Sequence, residues 1–168
     1  MKKFTFTVLA IGSLGIFSCG GGTEKPKDAD TSMESASETA ASTAVTSISI
    51  TSGDDMKYSE TEFTVPVGKE VTISLHNMGK MAKDVMGHNM VVLKPGSDVK
   101  AYAAGAVSAK AEDYEPKAQA DQVLGSTKLL GPDEKGEIKI TFTEPGVYPF
   151  LCSFPGHEGT MNGTITVE

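Results

Sequence analysis

Within ten residues the chain carries a thiol, an imidazole and a thioether: Cys152-Ser153-Phe154-Pro155-Gly156-His157-Glu158-Gly159-Thr160-Met161, spaced C-x4-H-x3-M. Far upstream, Met86-Gly87-His88-Asn89 offers a second imidazole. Two His and one Cys in a trigonal plane, with a weak axial Met, form the ligand set of a blue-copper electron-transfer site. Soft sulfur donors stabilise Cu(I), and imidazole suits both oxidation states. A site that accepts both with little rearrangement passes an electron at small reorganisation cost. Taken singly, each donor has an ordinary role: a buried structural Cys, a core-filling Met, a hydrogen-bonded His. Together they do not read that way, because two of the three His in the chain fall at these positions. The third, His76, lies on a predicted strand without a partner motif and is read as structural. Zinc is chemically open to a Cys/His site, but a Met in the shell argues against a closed structural zinc site.

The elements that must hold these donors read mainly as strands. Ile48 and Ile50 alternate with polar residues, as do Val71, Ile73 and Leu75, then Ile138, Ile140 and Phe142, and last Ile165 and Val167. Period two marks half-buried strands, and Pro66-Val67-Gly68 and Glu144-Pro145-Gly146 punctuate them as turns. One stretch departs from the pattern. Ser97 or Asp98 can cap a helix on which Val99, Tyr102, Ala103, Ala106 and Val107 share a face, with Pro116 as the stop. Gly105 in its middle weakens that helix by about 1 kcal/mol relative to Ala. The expectation is an all-β sandwich with one helical insertion. Three donors then come from one loop between two strands, and His88 comes from a distant strand.

The domain occupies 46–168, preceded by two segments of other character. Residues 1–18 read as a signal peptide: Lys2 and Lys3, then an apolar run from Phe4 to Phe17. That run is shorter than the roughly 20 apolar residues of a bilayer-spanning helix. Its end, Ile16-Phe17-Ser18-Cys19, resembles the bacterial lipobox, which implies cleavage before Cys19 and a lipid on its sulfur. An ordinary secretory signal is the alternative. Residues 19–45 are rich in Gly, Ser, Thr, Ala and Glu, too polar to offset ordering entropy, and are expected to act as a disordered tether. As a coil it would reach on the order of 25 to 30 Å. With only Cys19 and Cys152 in the chain, and Cys19 in the tether, the two cysteines are given separate functions. The net charge of -7 argues against nucleic acid as a partner.

Tyr148-Pro149-Phe150-Leu151-Cys152-Ser153-Phe154-Pro155-Gly156-His157 followed by Met161, with Val85-Met86-Gly87-His88-Asn89, resembles the azurins. Gly53-Asp54-Asp55-Met56 and Thr127-Lys128-Leu129-Leu130-Gly131 add to the likeness, which covers essentially the whole domain. The resemblance implies a Greek-key β-sandwich of the cupredoxin type, its helix outside the sandwich. It implies one type 1 copper held by His88, Cys152 and His157, with Met161 axial and the Gly87 carbonyl weakly opposite. Asn89 and the backbone N–H of Phe154 would hydrogen-bond the Cys152 sulfur. The edge of His157 would be the electron port, ringed by a docking patch of Met56, Met81, Met86, Phe154 and Pro155; core packing is the alternative for the Met residues. The implied role is a monomeric one-electron carrier, not an enzyme, in a bacterial envelope with its domain facing the periplasm or cell surface. Its partners would be c-type cytochromes or terminal reductases and oxidases. Copper delivery or tolerance is the competing role. A copper nitrite reductase would need a second copper site, for which only His76 is spare. Three departures stand out: no Cys for an N-terminal disulfide, Met90 where azurins often carry Trp, and Asn77 where some relatives carry a pH-sensitive His.

Overall fold

The computed structural model describes residues 45–168. The signal peptide, Cys19 and the tether through residue 44 lie outside the described residues. The described residues form two sheets. The first holds β1 (Ser47–Ser52), β3 (Glu70–Asn77) and β6 (Lys135–Thr141) in the order β1-β3-β6. The second holds β2 (Glu62–Val65), β4 (Val91–Leu93), β5 (Val123–Ser126), β7 (Gly146–Leu151) and β8 (Asn162–Val167), ordered β2-β8-β7-β4-β5. β1 runs parallel to β3 and β2 parallel to β8, while β3–β6, β7–β8, β4–β7 and β4–β5 are antiparallel.

Alternation decides which side chains meet between the sheets. Ile48 and Ile50 of β1, Val71, Ile73 and Leu75 of β3, and Ile165 and Val167 of β8 are all buried in one core. Each such side chain contributes about 1.5–3 kcal/mol on leaving water. Phe142 joins them one residue beyond the end of β6, edge-on to Tyr148 at 4.9 Å. Ile138 is only partly buried against that core.

β4 carries no period-two signal, since Val91, Val92 and Leu93 are all buried. Both of its faces are covered. Val92 points into the sandwich, and Val91 and Leu93 pack with Leu151 against Tyr102 and Ala103. Those two belong to the helical insertion α2 (Val99–Ala106), whose Asp98 carboxylate accepts from the N–H groups of Lys100 and Ala101. A side-chain cap of this kind satisfies donors that a helix start leaves orphaned. The insertion thus lies on the outer face of the five-stranded sheet.

The helix is shorter than the sequence pattern suggested. It ends at Ala106, and Val107 is 58% exposed rather than part of the buried stripe. The chain then makes two 3-10 turns, Lys110–Glu112 and Lys117–Gln122, separated by the left-handed residues Asp113 and Tyr114. Pro116 therefore opens the second of these turns instead of stopping α2. His88 also departs from expectation, because it is not on a strand. It follows the short helix α1 (Lys83–Met86) and precedes β4.

Candidate metal centre

Local sequence shapes the loop that carries three of the donors. Phe154-Pro155-Gly156-His157 is a turn in which His157 N–H donates to the Phe154 carbonyl at 3.1 Å. Pro fits the second position of such a turn, and Gly156, at φ +84°, supplies the left-handed third. A second set of bonds closes the loop. Met161 and Thr160 N–H donate to the His157 carbonyl, and Cys152 N–H donates to the Met161 carbonyl at 2.8 Å. Cys152, His157 and Met161 are thereby buried at one end of the β7–β8 hairpin.

His88 reaches the same place by a different device. Its N–H and carbonyl pair with the carbonyl and N–H of Leu130 at 3.1 and 2.7 Å, a one-residue bridge that fixes its backbone. Gly87 before it has an ordinary φ of −70°, so it is glycine for space and not for conformation. A Cβ there would lie 2.5 Å from the Lys83 carbonyl and 2.9 Å from Leu129 Cγ. Gly87 is buried directly beside His88.

The three donors converge. Cys152 Sγ lies 3.6 Å from His157 Nδ1 and 4.0 Å from His88 Nδ1, and all three atoms lie within 4.8 Å of one another. Bonds of about 2.3 Å to sulfur and about 2.0 Å to nitrogen, set at 120°, would separate S from N by about 3.7 Å. The spacing thus fits a trigonal metal ion. His88 Nε2 donates to the Gly53 carbonyl at 2.9 Å, which leaves the Nδ1 lone pair facing the sulfur. The two imidazoles are 5.0 Å apart between ring centres. Met161 is fully buried and is tied to Cys152 and His157 through its backbone carbonyl and N–H.

Burial sets the protonation of the donors. It pushes the Cys152 thiol up to about 11, even though the backbone N–H groups of Asn89 and Phe154 point at the sulfur and favour the thiolate. It lowers His157 to about 4, with His88 adding to the effect. It lowers His88 as well, against the opposing influence of the Gly53 carbonyl, Asp54 and Asp55. Both imidazoles are therefore neutral near pH 7, as a metal ligand requires.

Asn89 contacts the sulfur through its backbone, not its side chain. The side chain clamps the two ligand segments together: Oδ1 accepts from Ser153 N–H at 2.9 Å, and Nδ2 donates to Ser153 Oγ at 2.8 Å. Ser153, Gly53 and Leu130 also take part in the site. They lie in the segments that carry the family likeness, but what each does there follows only from its neighbourhood in the fold.

The residues assigned to a docking ring separate into two groups. Met56 and Met81 are exposed, at 36% and 41%, and Met86 and Pro155 are half-buried. Phe154 is 8% exposed and belongs to the core. Its ring is held edge-on by Tyr114 at 5.0 Å and lies 4.7 Å from the His157 ring, so it supports the imidazole from within. Met78 and Val85 are exposed apolar residues that strand and helix patterning did not single out. His76 pairs with Asp133 at 2.7 Å, away from the metal cluster. Asn77 is buried, its side chain accepting from Gly79 N–H and donating to the Leu130 carbonyl. Met90 fills the core, its N–H donating to Thr127 Oγ1.

Residues 44–168 match the family described as copper binding proteins, plastocyanin/azurin family. The azurin of Achromobacter denitrificans is 36% identical over 123 residues, covering 71% of this chain and 82% of that protein. The azurin of Pseudomonas aeruginosa is 34% identical over 127 residues, covering 73% of this chain and 84% of that protein. Among solved structures, dithionite-reduced auracyanin from the photosynthetic bacterium Roseiflexus castenholzii superposes with a TM-score of 0.65 at 37% identity. It covers 74% of this chain and 98% of its own. An azurin from Methylomonas sp. strain J gives 0.66 at 32% identity, covering 74% of this chain and 99% of its own. With its two-sheet fold, its buried Cys and two His, and these likenesses, the chain belongs to the plastocyanin/azurin family of copper-binding proteins.

Proposed function

We propose that the protein carries single electrons between redox partners of a bacterial envelope through a type 1 copper site. His88, Cys152 and His157 would hold the metal, with Met161 and, more weakly, the Gly87 carbonyl as further donors. The observation that carries this reading is the convergence of one buried thiol and two neutral imidazoles within 4.8 Å. Copper, when bound there, supplies the Cu(I)/Cu(II) couple. The chain's own residues do the rest. The bridge to Leu130 and the Asn89–Ser153 clamp hold the donors in place, so both oxidation states meet the same cage. Burial excludes water, and the N–H groups of Asn89 and Phe154 moderate the charge on the sulfur.

An electron must enter and leave at the surface. The exposed thioethers of Met56 and Met81, with Met86 and Pro155, are the proposed docking patch, a surface easily desolvated in a short-lived complex. Phe154 acts from beneath it. Thr160 Oγ1 donates to the Met56 carbonyl at 2.8 Å, which ties that patch to the turn carrying His157. The partners proposed are c-type cytochromes or terminal reductases and oxidases, and the placement proposed is a lipid anchor at Cys19 with the domain facing the periplasm or cell surface.

The test is a visible spectrum of the Cu(II)-loaded protein before and after ascorbate. An intense orange-red absorption, bleached by reductant and restored by oxidant, is the expected result. A pale product would mean that the Cys152 thiolate does not ligate copper as a blue site requires, and copper delivery would become the better reading.

A further inference from the structure

The connection from β1 to β2 touches the metal centre three times. The Gly53 carbonyl accepts from His88 Nε2, the Met56 carbonyl accepts from Thr160 Oγ1, and the Tyr58 hydroxyl donates to the Asn89 carbonyl at 2.5 Å. The third contact is the deepest. Tyr58 is buried, its ring lies 5.7 Å from that of Phe150, and its backbone forms a bridge with Ser52 beside β1.

Asn89, the residue Tyr58 grips, has every kind of polar group engaged. Its side chain is bonded twice to Ser153, and its backbone N–H points at the Cys152 sulfur. Those three bonds all lead to the Cys152–Ser153 segment. The Tyr58 hydroxyl is the bond that holds the Asn89 main chain from the β1–β2 connection. Without it, the Asn89 carbonyl would be a buried acceptor lacking that donor, and the peptide would be free to tilt towards another.

We propose that Tyr58 is a positioning residue for the copper centre: its hydroxyl holds Asn89 so that the Asn89 N–H stays aimed at the Cys152 sulfur. An N–H donated to the thiolate stabilises the reduced site, which carries one more negative charge, over the oxidised one. Holding that donor in place therefore raises the reduction potential. The inference rests on the reading of the centre as type 1 copper.

The experiment compares the copper-loaded full chain with Tyr58→Phe, which keeps the ring and removes the hydroxyl. Expected are a lower reduction potential and a shifted sulfur-to-copper absorption. In the reduced protein, the Asn89 amide should exchange with solvent on the order of fivefold faster, as loss of one neutral hydrogen bond allows. A second variant reverses the sign. Difluorotyrosine at position 58 is a stronger donor of nearly the same shape and is expected to raise the potential. If Tyr58→Phe lowers the melting temperature but leaves potential, absorption and Asn89 exchange unchanged, Tyr58 only packs and the proposal is overturned. Failure of the variant to fold overturns it too, because it makes the hydroxyl a folding determinant. A wild-type protein with no blue absorption would instead remove the copper reading itself, an outcome separate from either variant's result.

Discussion

At the residue scale, desolvation does most of the preparation for metal binding. A thiol held near 11 keeps its proton at neutral pH, while imidazoles pushed below their ordinary value have already lost theirs. Loading with Cu(II) at pH 7 should therefore release one proton per copper, all of it from Cys152. Calorimetry in buffers of different ionisation enthalpy reads this number directly. A value near zero would mean a preformed thiolate; a value near two would mean an imidazolium in the metal-free site. The sign at low pH follows from the same shifts. His157 stays a competent ligand until the pH falls to about 4, where protons begin to compete for Nδ1. Copper affinity should thus fall more steeply below that pH than a thiol alone would require.

At the element scale, the centre depends on segments that approach more closely than side chains allow. The turn of α1 and the Leu129–Leu130 segment meet at Gly87, and a methyl group there would strike the Lys83 carbonyl. Gly87→Ala should destabilise the domain by about 1–3 kcal/mol through overpacking and displace the His88 imidazole. Melting temperature and the blue absorption should move together in that variant, and an unchanged spectrum would show that the bridge to Leu130 alone fixes His88. The same logic explains what was legible in the sequence. β1, β3 and β8 were readable because each has one wet face, as the alternation of Val71, Ile73 and Leu75 with Thr72 and Ser74 displays. β4 was not, because α2 covers the face that would otherwise be polar, and Val91-Val92-Leu93 carries no period. The ligands of the β7–β8 loop stood out because their spacing is local. Tyr58 and the clamp through Ser153 did not, since each joins segments 31 and 64 residues apart and nothing near them in sequence requires the contact. Phe154 was misplaced at the surface for a related reason: Tyr114, from the insertion, covers it.

At the scale of the whole molecule, the proposed redox centre and the proposed anchor lie in separate parts of the chain. The domain that begins at β1 contains every proposed copper ligand, and Cys19 lies well before it in the sequence. If Cys19 is the lipid attachment point, the anchor and the redox centre should be separable by one substitution. Cys19→Ser removes the only other thiol of the chain without touching a residue of either sheet. The variant should move from the membrane fraction to the soluble fraction of the envelope while keeping the same blue absorption, reduction potential and melting temperature as the wild type. Electron transfer to a soluble acceptor should be unaffected. Transfer to a membrane-bound partner should slow, because the variant must find that partner by diffusion in three dimensions. Continued membrane association of Cys19→Ser would refute the lipid anchor and point to an uncleaved signal segment or to docking on a membrane protein. Release of the protein with no change in transfer to the membrane-bound partner would show that the anchor places the domain in the envelope but does not limit the encounter.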